Sequence, residues 1–133
     1  VVAGNSVGGL VTAALAATNP PGVVAIINFA GGIAGNPDQA SGRSCAPEKV
    51  RDAFSLYGKT ARMPSLWLYA QNDKFWGPDA PRQWHAAYVA SGSAAEFVQT
   101  SPVPNADGHD LIFVGRDLWK PVIEPFLKRV GLE

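Results

Sequence analysis

The sequence predicts an α/β protein, a parallel sheet flanked by helices on both faces, on three observations. Short β-rich runs alternate with helical stretches along the chain. The run Val23–Phe29 (VVAIINF) is apolar and β-branched throughout, the mark of a strand covered on both sides. Clusters of Gly, Asn, Ser and Pro fall where strands and helices would exchange. Repeats of strand, helix and strand join parallel strands through right-handed crossovers. At 133 residues, with no internal repeat and no long linker, residues 1–133 read as one domain.

The elements follow in order. Val1-Val2-Ala3 ends a strand, stopped by Gly4-Asn5-Ser6. Val7–Thr18 is small and apolar on most sides, as a buried helix would be, and Asn19-Pro20-Pro21-Gly22 terminates it. Val23–Phe29 is the second strand. Ala30–Pro47 is a surface loop by composition. Pro47-Glu48 opens a helix to about Leu56, with Val50, Ala53, Phe54 and Tyr57 at helical spacing. Ser65–Ala70 (SLWLYA) is the third strand, Pro78–Ala90 an amphipathic helix and Ala95–Thr100 the last strand. Asp117 is expected to cap a final helix to Val130, whose Leu118, Val122, Ile123, Phe126 and Leu127 form an apolar stripe.

Composition narrows the function. Eleven basic residues balance eleven acidic ones, and 17% of residues are charged. That balance argues against disorder and against electrostatic binding of nucleic acid or a membrane surface. No apolar run approaches the ~20 residues of a membrane span. Cys45 is the sole cysteine, which rules out an internal disulfide and a zinc-cysteine cluster; the plain expectation for it is a small buried thiol. Two histidines and scattered carboxylates make no metal-ligand set. The chain starts at Val1, so an upstream signal peptide stays an open possibility and the compartment is undetermined.

In parallel sheets ligands bind beyond the carboxyl ends of the strands, so the residues after each strand matter most. After the first stands Gly4-Asn5-Ser6-Val7-Gly8, a G-x-S-x-G between strand and helix. A sharp turn there lifts the serine hydroxyl clear of the backbone, and glycines two positions either side avoid clashes between strand and helix. The helix starting at Val7 aims unpaired N–H groups at that point, making the Val7 amide the natural oxyanion donor. Taken alone, the pattern also fits a turn that caps a helix. It excludes a Walker loop, which needs Gly-Lys-Ser/Thr, and the dinucleotide fingerprint, whose third position here is Ser6. No cofactor is implied.

Asp73 follows the third strand, where an Asx turn is its ordinary role. His109 follows the last strand in a Pro/Gly-rich loop, whereas His85 lies within a helix beside Trp84 and reads as a packing or surface residue. Each signal is weak alone. Together Ser6, Asp73 and His109 occur in that order, each after its own strand, on one sheet edge. A serine hydroxyl is nucleophilic only if a base takes its proton, and the base needs a carboxylate to fix its tautomer. Asp79 and Asp38 are the alternative acids. Phe75 and Trp76 suit either an apolar substrate pocket or the anchoring of their loop, and Phe29 ends the strand beside the turn. Arg43, Arg62 and Arg116 are candidates for recognising a carboxylate, with nothing to single one out.

These residues resemble the catalytic C-terminal portion of an α/β-hydrolase, most of all the dienelactone hydrolase-like branch. The likeness rests on Gly4-Asn5-Ser6-Val7-Gly8-Gly9 as nucleophile elbow, Leu66 to Asp73 as the acid-bearing strand, and Gly108-His109-Asp110 as the histidine loop. It implies Ser6 as nucleophile, His109 as general base and then acid, Asp73 as orienting carboxylate and Val7 N–H as one oxyanion donor. That branch often carries cysteine as nucleophile, so Ser6 points towards ordinary ester hydrolysis of a small acyl substrate. The resemblance also implies strands before the elbow and a second oxyanion amide among them. The sequence is therefore expected to be part of a protein of about 250 residues or more. Val1–Ala3 would then be an edge that pairs with a second copy or with the N-terminal half. Two other functions use the same architecture: a peptidase or acyltransferase sharing the acyl-enzyme, and a non-catalytic binding or scaffold domain.

Overall fold

The computed structural model describes residues 1–132. β1 (Val2–Asn5) leads into α1 (Val7–Ala17), and β2 (Ile26–Phe29) follows. The next crossover carries α2 (Pro37–Ala40) and α3 (Pro47–Gly58) before β3 (Ser65–Ala70). α4 (Ala80–Ala90) returns the chain to β4 (Ala95–Thr100). A 3-10 turn (Gly108–Asp110), α5 (Leu111–Val114) and α6 (Arg116–Arg129) complete it. The four strands lie in the order β1-β2-β3-β4, every neighbouring pair parallel. β1 is thus an edge strand, hydrogen-bonded on one side to β2.

The alternation of side chains along β3 divides the core in two. All six of its residues are buried. Trp67 and Tyr69 face α1, α3 and α4, where they meet Ala13, Ala16, Val50, Phe54, Trp84 and Tyr88. Leu66, Leu68 and Ala70 face α5 and α6, packing with Leu111, Ile123 and Phe126. Alanines at 13 and 16 let α1 lie close against the sheet, which explains its small-residue composition. His85 is a packing residue: its ring meets Trp67 edge-on and its Nε2 bonds the Ala95 carbonyl at 2.9 Å. Burial pushes that imidazole below its ordinary pKa.

Several boundaries differ from the sequence expectation. The second strand begins at Ile26, because Val23 is held in the preceding turn by its bond to the Pro20 carbonyl. α4 starts two residues after Pro78. The 30–47 segment is more ordered than its composition suggests: the Asn36 side chain caps α2, and Gly35 bridges Ser44. α6 begins at Arg116, and Gly115, not Asp117, is its cap; the Gly115 carbonyl accepts the Leu118 and Trp119 amides. Cys45 is exposed rather than buried, since its segment runs over the surface. Among the described residues no helix is long and apolar enough to cross a membrane.

Trp67 ties the larger core together, with ring centroids 4.6 Å from Phe54 and 5.1 Å from Tyr88. Trp67→Ala should cost about 3–5 kcal/mol, the usual range for a buried aromatic truncation. Equilibrium urea unfolding measures it, with a lower midpoint and an unchanged slope as the expected result.

Candidate active site

Ser6 sits between β1 and α1 with φ 56° and ψ −124°, a backbone conformation that costs a non-glycine residue roughly 1–3 kcal/mol. Four hydrogen bonds hold it there. Its N–H donates to the Phe29 carbonyl at 3.0 Å, and its own carbonyl accepts the amides of Gly9, Leu10 and Gly32 at 2.9, 3.2 and 3.1 Å. Gly4 is needed for the turn, because a Cβ there would lie 2.2 Å from the Gly8 carbonyl oxygen. Gly8, the other glycine of the motif, has no such constraint, for a Cβ there meets nothing outside its own helix. The second tight position is Gly9, where a Cβ would come within 2.3 Å of Asn28 Oδ1.

Behind the turn, Asn28 Nδ2 donates to the Tyr69 hydroxyl at 3.2 Å, and that hydroxyl donates to the Gly31 carbonyl at 2.8 Å. Burial pushes the Tyr69 phenol well above its ordinary pKa, so it remains a donor. These bonds pin the segment whose next amide, Gly32, grips Ser6.

The structure brings the three separated residues together. His109 Nε2 lies 2.9 Å from Ser6 Oγ, and His109 Nδ1 lies 3.2 Å from Asp73 Oδ2. Asp73 and His109 are only 2% and 6% exposed. A carboxylate only accepts, so Nδ1 carries the proton and Nε2 turns its lone pair to the serine O–H. The other oxygen, Asp73 Oδ1, accepts the amides of Phe75 at 2.8 Å and Trp76 at 3.1 Å, which fixes the carboxylate plane. Val7 is the first residue of α1, where N–H groups lack intrahelical partners and the helix dipole favours negative charge. Asp79 and Asp38 are exposed and neither bonds His109.

Two residues that the sequence does not single out join the Asp73 and His109 loops. Asp107 Oδ1 accepts the amides of both Lys74 and His109 at 2.9 Å. Asn72 donates to the carbonyls of Val103 and Ala106 and accepts the Val103 amide, while the Gly108 amide donates to the Asn72 carbonyl. Gly108 fits because a Cβ would lie 2.6 Å from both Asn72 Oδ1 and the Asp73 nitrogen. An Asp two residues before His is the available signal, a short Asx pattern that is common in loops.

The aromatic neighbours divide. Trp76 is 2% exposed, its indole N–H bonds the Ala30 carbonyl at 2.7 Å, and it anchors the loop. Phe75 is partly buried and stacks on the His109 ring, centroids 3.9 Å apart. Phe29 is buried against Trp119 on the opposite face. Arg43 borders a cavity of about 260 Å³ with Trp76, Pro47, Asp79 and Gln83. Arg62 is spent on the Lys59 and Ala61 carbonyls, and Arg116 opens α6; neither is joined to the Ser6 site. Among the described residues no group of three or more His, Cys, Asp or Glu is placed to hold a metal ion.

No family model matches the sequence, and no curated protein matches it. Solved structures do match. An esterase from Pyrococcus furiosus has a TM-score of 0.67 at 16% identity, over 96% of this chain and 53% of the esterase. A Klebsiella pneumoniae protein described as a dienelactone hydrolase gives 0.62 at 21% identity, over 99% of this chain and 52% of its own. An acylaminoacyl peptidase from Pyrococcus horikoshii gives 0.62 at 18%, over 98% of this chain and 24% of its own. The chain therefore has the fold of the C-terminal portion of an α/β-hydrolase and spans about half the length of the first two.

The glycine geometry predicts a contrast. Gly4→Ala should destabilise strongly and disorder the turn, whereas Gly8→Ala should be neutral or stabilise by up to about 1 kcal/mol through helix propensity. Thermal melts of the two variants read it directly. For the loop clasp, Asp107→Ala should lower the melting temperature by a few degrees, the effect of losing about 1 kcal/mol or more of hydrogen bonding. Asp107→Asn retains the accepting oxygen and should recover most of that loss.

Proposed function

We propose that this chain carries the catalytic residues of a serine hydrolase that cleaves carboxylic esters through an acyl-enzyme. The observation that supports it best is the unbroken hydrogen-bonded path from Ser6 Oγ through His109 to a buried Asp73, beginning at a serine held in a strained turn.

Each residue takes a defined part. Ser6 Oγ attacks the ester carbonyl as its proton passes to His109 Nε2. Asp73 accepts from Nδ1 and steadies the imidazolium, which forms where both side chains are buried. Negative charge gathers on the former carbonyl oxygen, and the Val7 amide, in the first turn of α1, donates to it in this scheme. Collapse breaks the bond to the alcohol, which leaves with the proton from Nε2. Water then attacks the acyl-serine with His109 as base, and the acid is released. A second amide, from a segment seated beside β1, would complete the pair of oxyanion donors. One such donor is ordinarily worth about 100- to 1000-fold in turnover.

The substrate expected is a small acyl ester. A fluorophosphonate probe should label the full-length protein at Ser6 and fail to label Ser6→Ala. Labelling that survives in the variant, or is absent from both proteins, overturns the hydrolase reading. On a short acyl ester, His109→Ala and Asp73→Asn should each reduce kcat by about 1,000-fold or more. Product analysis against aminoacyl amides then tells ester hydrolysis from peptidase activity.

A further inference from the structure

We propose that Phe75 is a positioning residue for His109, holding the imidazole plane and stabilising its protonated form, rather than a wall of the substrate pocket. The proposal rests on the serine-hydrolase reading above.

The two rings lie 3.9 Å apart between centroids with 25° between their planes, so Phe75 covers one face of the imidazole. Trp76 approaches the same ring edge-on at 5.5 Å and 70°. The two aromatics are 5.8 Å from each other, and between them they set the plane in which Nε2 points at Ser6. The χ2 torsion of histidine is broad, and the two ring bonds, Nδ1 to Asp73 and Nε2 to Ser6, leave the imidazole some freedom to tilt about the line that joins them. A stacked face removes that freedom.

The backbone is built to deliver the stack. The Phe75 amide donates to Asp73 Oδ1 at 2.8 Å, while Oδ2 of the same carboxylate takes His109 Nδ1. One carboxylate therefore places both the imidazole and the residue that covers it. Across the site, Gly35 makes room for the pair, since a Cβ there would lie 2.6 Å from Trp76 and 3.0 Å from Phe75. A ring face already occupied by imidazole is not available to a substrate. During turnover the imidazole becomes a cation, and the negative face of a phenyl ring attracts that cation more than the neutral form. The contact therefore strengthens as the proton arrives from Ser6, when stabilisation affects the barrier.

The test compares Phe75→Leu, which keeps apolar bulk but loses the aromatic face, with Phe75→Tyr, which keeps the face. Both are made in the full-length protein. Phe75→Leu should lower kcat about 2- to 30-fold, the span of a cation–π contact, with KM within twofold across esters of different acyl length. Phe75→Tyr should restore kcat. Independently of any activity, the His109 ring-proton NMR signals should move downfield in Phe75→Leu, as the ring current is lost, and stay near wild type in Phe75→Tyr. Unmoved signals overturn the proposal, as does an unchanged kcat in Phe75→Leu. A KM that rises selectively for bulky esters with kcat intact also overturns it and makes Phe75 a substrate contact. Probe labelling of Ser6 in the wild type separates these failures from failure of the hydrolase reading.

Discussion

The site depends on one strained residue. Ser6 occupies a backbone region that side chains normally avoid, and it remains there because neighbouring groups over-determine it. The β2 carbonyl at Phe29 takes its amide, and the Gly32 amide takes its carbonyl, so β2 and the loop that leaves it grip the turn from both ends. That grip is itself braced from behind by the Asn28–Tyr69 pair. The larger core holds Tyr69 in place, so packing of the helices onto β3 is transmitted to a hydroxyl at the sheet edge. Folding energy is converted here into orientation.

The second constraint is dryness. Asp73 and His109 are nearly withdrawn from water, which strengthens their interaction and makes any unpaired polar atom costly. Both carboxylate oxygens of Asp73 are accordingly engaged, one by the imidazole and one by two consecutive amides. The same loop supplies the aromatic cover, so acid, amides and ring face arrive as one unit. A half-satisfied version of this arrangement would be worse than an apolar one.

Much of this was legible in the sequence because it is written in local chemistry. The all-parallel sheet showed in Val23–Phe29 and in the regular return of helices. Ser6, Asp73 and His109 showed in their positions after three separate strands. What could not be read depends on contacts between distant segments. Gly8 matched the motif as well as Gly4, yet only a folded strand–helix pair reveals that Gly4 and Gly9 carry the steric constraint. Asp117 has the chemistry of a cap, but α6 starts one residue earlier behind Gly115. Cys45 departs from expectation because burial of a thiol is an average tendency, and its segment lies on the surface. Asp107 shows only a local Asx pattern towards His109, and the contacts by which it and Asn72 join the two loops, to Lys74, Val103 and Ala106, lie some 30 residues away in the chain.

The joining of those two loops has an architectural consequence. Lys74 and Asp107 meet at the mouth of an excursion that contains all of α4 and β4. The chain leaves from beside the carboxylate and comes back beside the imidazole, stitched closed at its neck. Remodelling exposed positions within that excursion, such as Ala86 and Ala90 on α4, leaves the neck intact. Asp73 and His109 would keep their spacing while the outer contour of the protein is free to diverge.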